Sequence, residues 1–189
     1  RTLRSRETRS AMSSKKQGKY EEAEAEHRSA LALRKRVFGA EHPKTAVSHN
    51  NLASVLIAHK RYEEAEAEIR RALAVWEKAF GPEHPDIAAA RDNLAGVLYA
   101  RGRYEESEAE FRKVLALRDK LLGPEHPDVV STRTRLAELL LGRGEAQEAA
   151  RLAEQAWTAT GTRKDIQPEI HADVAFAFAR ALWKSNHDG

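Results

Sequence analysis

A period of 42 residues runs through this chain. The pentapeptides Gly39-Ala40-Glu41-His42-Pro43, Gly81-Pro82-Glu83-His84-Pro85 and Gly123-Pro124-Glu125-His126-Pro127 fall at that spacing. So do Tyr20, Tyr62 and Tyr104, each followed by two glutamates, and a fourth copy is half legible beyond them. A fixed period of this length marks stacked supersecondary units, each too small to bury its own apolar face, rather than one closed core. Function in such an array belongs to a long shared surface and not to a catalytic pocket.

The 189 residues would otherwise suit one large or two small globular domains. No run approaches 18 apolar residues, so no segment is expected to span a membrane. Arg1, Arg4, Arg6 and Arg9 are followed by no apolar stretch, so the N-terminus does not read as a secretory signal. There is no initiator Met and the last unit is incomplete. The chain is therefore expected to be a fragment of something longer. The absence of cysteine excludes disulfide and thiol chemistry and fits a cytoplasmic location. Charge is unevenly spread. Residues 1–19 hold seven basic side chains against Glu7 alone, a charge of +6, so the remainder of a chain of net +3 carries −3.

Each unit reads as two helices. Pro85 suits a first helical turn, where its missing N–H is not needed, and Asp86 favours the positive end of the helix dipole. Ile87, Ala90, Leu94, Val97 and Leu98 then recur at helical spacing until Gly102 breaks the pattern. A second helix is predicted from Tyr104 through Phe111, Val114 and Leu115 to Leu122, ended by Gly123. Its acidic first half and basic second half suit the dipole. Glu24–Arg28, Glu66–Arg70 and Glu108–Arg112 are i,i+4 pairs on what reads as a solvated face.

Equivalent positions form columns. Leu52, Leu94, Leu136 and Phe178 make one, Ala53, Ala95, Ala137 and Ala179 a second, and Ala23, Ala65, Ser107 and Ala149 a third. Large apolar columns fill the space between units, while small ones let two helices cross closely. The array is assigned to residues 18–160, in units of about 1–39, 43–81, 85–123 and 127–161. Residues 1–17 are a degenerate helix or basic arm, and 161–189 a linker with the first helix of an incomplete unit. That last helix carries Val174, Phe176, Phe178, Leu182 and Trp183, too many apolar groups for an exposed cap, and is expected to self-associate.

These residues resemble the tetratricopeptide repeat (TPR) in its 42-residue form, as in kinesin light chain and its bacterial relatives. The carriers are Asn50-Asn51-Leu52-Ala53, Asp92-Asn93-Leu94-Ala95, Arg61-Tyr62-Glu63-Glu64-Ala65-Glu66, Gly102-Arg103-Tyr104-Glu105-Glu106 and the three Glu-His-Pro turns. The resemblance implies an all-α, right-handed superhelical α-solenoid of about four hairpins plus a C-terminal helix, with each unit's first helix on the concave side. That groove would be lined by Val47, Asn51, Ser54 and Ala58, then Ala89, Asn93, Gly96 and Ala100, then Ser131, Arg135, Glu138 and Gly142. The small residues among them would leave room for a guest. In the family, groove asparagines bond the backbone of an extended peptide, since a carboxamide offers both donor and acceptor. Asn51 and Asn93 match that position, whereas Arg135 replaces it in the third unit. The competing reading is that each Asn bonds a neighbouring helix. Arg135 and Arg180 would favour acidic side chains, and Val47, Tyr99 and Leu141 would supply apolar contact.

Other chemistries find less support. His42, His84 and His126 recur one helix diameter or more apart, too far to share a zinc ion, and read as caps or packing groups at turns. No metal or cofactor is expected. Glutamates sit on charge-balanced faces and no Gly-rich phosphate loop exists, so the chain is not expected to be an enzyme. The basic N-terminus could contact phosphates, but no aromatic residues interleave with it to stack on bases, which disfavours nucleic acid. The leading reading is a protein–protein interaction scaffold holding a partner's peptide segment. The alternative is a structural or self-association arm of a larger bacterial signalling protein, for example a Ser/Thr kinase.

Overall fold

The computed structural model describes residues 21–161 and 168–187, which form eight α-helices. They divide between two compact units, Arg1–Gly81 and Pro82–Gly189. The first unit holds α1 (residues 21–38), α2 (Pro43–Ala58) and α3 (Tyr62–Phe80). The second holds α4 (Pro85–Ala100), α5 (Tyr104–Leu122), α6 (Pro127–Gly142), α7 (Ala146–Gly161) and α8 (Pro168–His187). The basic arm expected at residues 1–17 and most of the linker after residue 161 lie outside the described residues.

The repeated turn residues set the helix boundaries. His42, His84 and His126 hold extended backbone, and each Nδ1 accepts the backbone N–H two residues on, from Lys44, Asp86 and Asp128, at 3.1–3.3 Å. The imidazole thus satisfies one of the orphan donors of a helix start, work more often done by Ser or Asp. The proline that follows takes the first helical position, as expected. At the other end of these helices the N–H groups of Arg61, Arg103 and Glu145 reach back to the carbonyls of Leu56, Leu98 and Leu140, each at 2.9 Å. That bond requires the preceding residue to be left-handed. Gly102 and Gly144 supply it at φ +74 and +84, and in the first unit Lys60 adopts it at φ 59.

Packing follows the columns. Ala53 and Ala65 in the first unit, and Ala95, Ser107, Ala137 and Ala149 in the second, are fully buried where paired helices cross. Ser107 also donates its Oγ–H to the Ala95 carbonyl at 2.7 Å. In the second unit Leu136, Leu139, Leu140, Leu152 and Ala181 join one apolar cluster, with Phe178 packed against it, so α6, α7 and α8 share a core. The three i,i+4 pairs form as expected, at 2.6–2.8 Å. Glu108 additionally accepts from Arg143 at 2.5 Å, and Arg112 reaches Glu148 at 3.0 Å, which ties α5 to α7 along the outer face. Arg112 and Glu148 hold each other charged, the arginine shifted up and the glutamate down.

The sequence columns did not anticipate a buried polar column. His49 pairs with Glu68, and Arg91 pairs with Glu110 at 2.7 Å. One repeat on, Leu152 stands where the glutamate would be, and Arg133 turns instead to Asp119 at 2.9 Å and the Pro124 carbonyl at 2.7 Å. Burial pushes the Glu68 and Glu110 carboxyls up. Their bonds to His49, and to Lys113 and Arg91, outweigh that and leave both below the usual value of 4.5. These pairs therefore stabilise the fold above the ordinary carboxylate range and fail as pH drops through the depressed values.

The last helix corrects one expectation. Val174 and Phe178 are not part of an outward apolar face: Val174 is buried with Val130, Ala156 and Ala159, and Phe178 packs on the shared core. Only Phe176, Leu182 and Trp183 remain exposed, at 61%, 41% and 63%. Ala179, fourth in its column, is likewise exposed, because among the described residues no helix crosses it.

Enlarging the crossing residue Ala95 to Leu should overpack the α4–α5 hairpin and lower stability by about 1–3 kcal/mol, read as a reduced urea midpoint with helix content retained.

Candidate binding surface

The residues assigned to the groove all stand on α2, α4, α6 and α8, the first helix of each 42-residue repeat. On α2, Asn51, Ser54 and Ala58 are exposed and Val47 is half-buried. The Ser54 hydroxyl donates to the Asn50 carbonyl at 3.2 Å. On α4, Ala89, Tyr99 and Ala100 are exposed, while Asn93 and Gly96 are half-buried. Among the described residues neither the Asn51 nor the Asn93 carboxamide makes a hydrogen bond, so neither is spent on a neighbouring helix.

The second unit brings several candidates together. Gly96, Tyr99, Arg135 and Glu138 line a cavity of about 200 Å³ whose apolar walls are Phe111 and Leu139. Ser131, Arg135 and Glu138 also line a neighbouring cleft of about 280 Å³, with Thr134 and with Ile170, Asp173 and Val174 of α8. Arg135 and Glu138 are thus common to both hollows. Phe111, Ile170 and Asp173 were not foreseen. Asp173 follows Ser131 by one period, so carrying that column into the last helix would have found it. Phe111 belongs to a second helix and reaches the cavity floor only through packing.

The side chains place two of the assigned residues differently. Leu141 is 1% exposed and sits inside the shared core, so it offers no apolar contact to a guest. Arg135 is already committed. Its Nη1 donates to Asp92 at 2.7 Å and its guanidinium lies over the Phe111 ring, 4.8 Å from the centroid. A Cβ at position 96 would stand 2.7 Å from Arg135 Nη2. The glycine that was expected to leave room for a guest therefore accommodates an arginine of the same chain. Arg180 is exposed, with its guanidinium over Phe176 at 5.4 Å.

Glu138 stands apart electrostatically. It makes no hydrogen bond or ion pair among the described residues. Surrounding protein desolvates its carboxyl and pushes the pKa up; Arg180 opposes, Asp173 reinforces, and Arg135 opposes again, with a net rise above the usual 4.5. The sign is opposite to that of Glu68 and Glu110. A raised folded pKa contributes stability that is lost as pH rises through it, so ionised Glu138 weighs against the fold at neutral pH.

Elsewhere the chemistry is structural. His42, His84 and His126 are helix caps. Among the described residues no group of three or more His, Asp or Glu could hold a metal ion, and no helix is long and apolar enough to cross a membrane.

Comparison with known proteins agrees with this geometry. The tetratricopeptide repeat family pattern matches residues 5–71, 49–109 and 86–159. Among curated protein sequences none matches the chain. Two crystal structures of a Podosopora anserina protein described as a kinesin light chain with nearly identical TPR-like repeats are similar. They show 25% and 26% identity and TM-scores of 0.79 and 0.77, covering 91% of this chain and 81% and 82% of theirs. BtubC (BKLC) of P. vanneervenii has the same fold at 19% identity and a TM-score of 0.83, covering 91% of this chain and 68% of its own.

Replacing Glu138 by Gln should raise the urea midpoint at pH 7, and the gap between variant and parent should narrow as pH falls and Glu138 takes up its proton.

Proposed function

The chain belongs to the tetratricopeptide repeat family, and from that premise we propose that it holds a peptide segment of a partner protein along its first-helix face. Proteins of this family generally serve as protein–protein interaction scaffolds and are usually not catalytic. The observation that carries the finer reading is the pair of adjoining hollows on α4, α6 and α8 that share Arg135 and Glu138. They are open, walled by apolar groups, and edged with polar side chains, which is the make-up of a recognition groove.

The asparagines fit the same reading. Asn51 in the first unit and Asn93 in the second each keep an uncommitted carboxamide, able to hold a peptide unit whatever its side chains. The outer faces, by contrast, are occupied with their own ion pairs, such as Arg112 with Glu148 and Arg143 with Glu108. Asn93→Ala should weaken capture of peptides selected from a displayed random library by about fivefold, the worth of one neutral hydrogen bond, with helix content unchanged. Equal capture by parent and variant in a fluorescence-anisotropy titration would remove Asn93 from the groove.

A second reading, self-association, is favoured by α8. Thr134, Leu140 and Leu141 of α6 are buried, whereas their counterparts 42 residues on, Phe176, Leu182 and Trp183, are exposed. A seat that α7 and α8 cover on α6 is open on α8, and a second copy could take it. Static light scattering across a concentration series should then show mass rising with concentration, and Trp183→Glu should abolish the rise. A constant monomer mass rejects this reading.

A further inference from the structure

We infer that the cleft between α6 and α8 selects a basic side chain, Lys or Arg, in the peptide it holds, with Glu138 and Asp173 as the specificity-determining residues. This rests on the peptide-groove reading above and deepens it. It also reverses the polarity that the arginines suggest from sequence alone.

The charge inventory of the cleft carries the inference. Its lining holds two carboxylates, Glu138 and Asp173, and one cation, Arg135. Arg135 is bonded to Asp92 at 2.7 Å and stacked on Phe111, so its charge is neutralised from the far side. Arg180 lies within electrostatic reach of Glu138 but rests over Phe176 and is not part of the lining. Glu138 and Asp173 make no hydrogen bond among the described residues. A carboxylate given no donor by its own chain gains from a ligand that brings one, and a cationic donor makes the stronger bond. Half-buried Ile170 provides the apolar wall against which the methylene stem of Lys or Arg packs while its head reaches the acids. At about 280 Å³ the cleft admits such a side chain.

An acidic peptide side chain fits poorly. It would face two carboxylates at once, and the nearest arginine would have to abandon Asp92 to meet it. Asp92 would then be left near Arg118 alone, at 3.7 Å.

The test begins with selection of a displayed random dodecapeptide library on the immobilised chain and, in parallel, on an albumin-coated surface. The consensus peptide and its basic-residue→Ala form are then titrated by fluorescence anisotropy against the parent and against E138Q/D173N. The expected result is a pool enriched in Lys or Arg at one position. Alanine there should weaken binding to the parent about tenfold and leave binding to E138Q/D173N unaffected. A pool without basic enrichment, an acidic one, or equal alanine losses on both proteins would overturn the selectivity while leaving the groove intact. A pool no larger than that from albumin would overturn the groove reading and the selectivity with it. Both carboxylates are exposed, so the variant should fold; if circular dichroism shows lost helix, E138Q alone gives the same comparison.

Discussion

Close approach of two helices at a small side chain is the contact on which the rest of this protein depends. Ala53 and Ala65 are buried on α2 and α3, Ala95 lies against Ser107 of α5, and Ala137 and Ala149 share one core between α6 and α7, all without solvent exposure. Where Cβ is the largest group at a crossing, the axes can draw near enough for flanking leucines to interdigitate. A hairpin drawn tight in this way still has an uncovered flank, and the next helix covers it: α8 lies on α6 and α7, and their leucines, Val174 and Phe178 bury one another. The 42-residue period is the sequence trace of that requirement repeated.

The same geometry separates two kinds of polar surface. On the second helices, charges are spaced to satisfy one another, within a helix as Arg112 with Glu108, and across hairpins as Arg143 with Glu108. Such exposed pairs contribute little to stability individually, but they leave few unmet charges on that side. On the first helices the pattern loosens. Small and polar residues replace the paired charges, hollows open between them, and Glu138, exposed at both, is left without a hydrogen-bond donor among the described residues. A surface that does not satisfy itself is the one suited to a ligand, and in this chain the contrast follows from which helix of the hairpin a residue occupies.

His49, Arg91 and Arg133 occupy one further equivalent position of the repeat. It shows how a repeat tolerates drift at a buried polar position. The glutamate partner is kept for two units and lost in the third, where Leu152 fills the space and Arg133 turns to Asp119 and a turn carbonyl. Burying a charge without a partner is costly, and where the glutamate is absent Arg133 has other partners. Its Nε, alone among its donors, remains buried and unbonded.

Helix boundaries, capping histidines, crossing alanines and the i,i+4 pairs were all legible in the sequence, because each depends on residues within a turn or on a column at fixed spacing. The groove was legible only as positions. That Leu141 points into the core, that Arg135 fills the space above Gly96 and spends its charge on Asp92, and that Phe178 packs inward while Trp183 does not are outcomes of side-chain direction in packed helices. A period states which residues are equivalent. Which partner an equivalent side chain finds depends on what the neighbouring helix presents at a few ångströms, and only the tertiary structure decides that, because the competing hydrogen bonds, ring contacts and cavities are made between residues 14 to 43 positions apart.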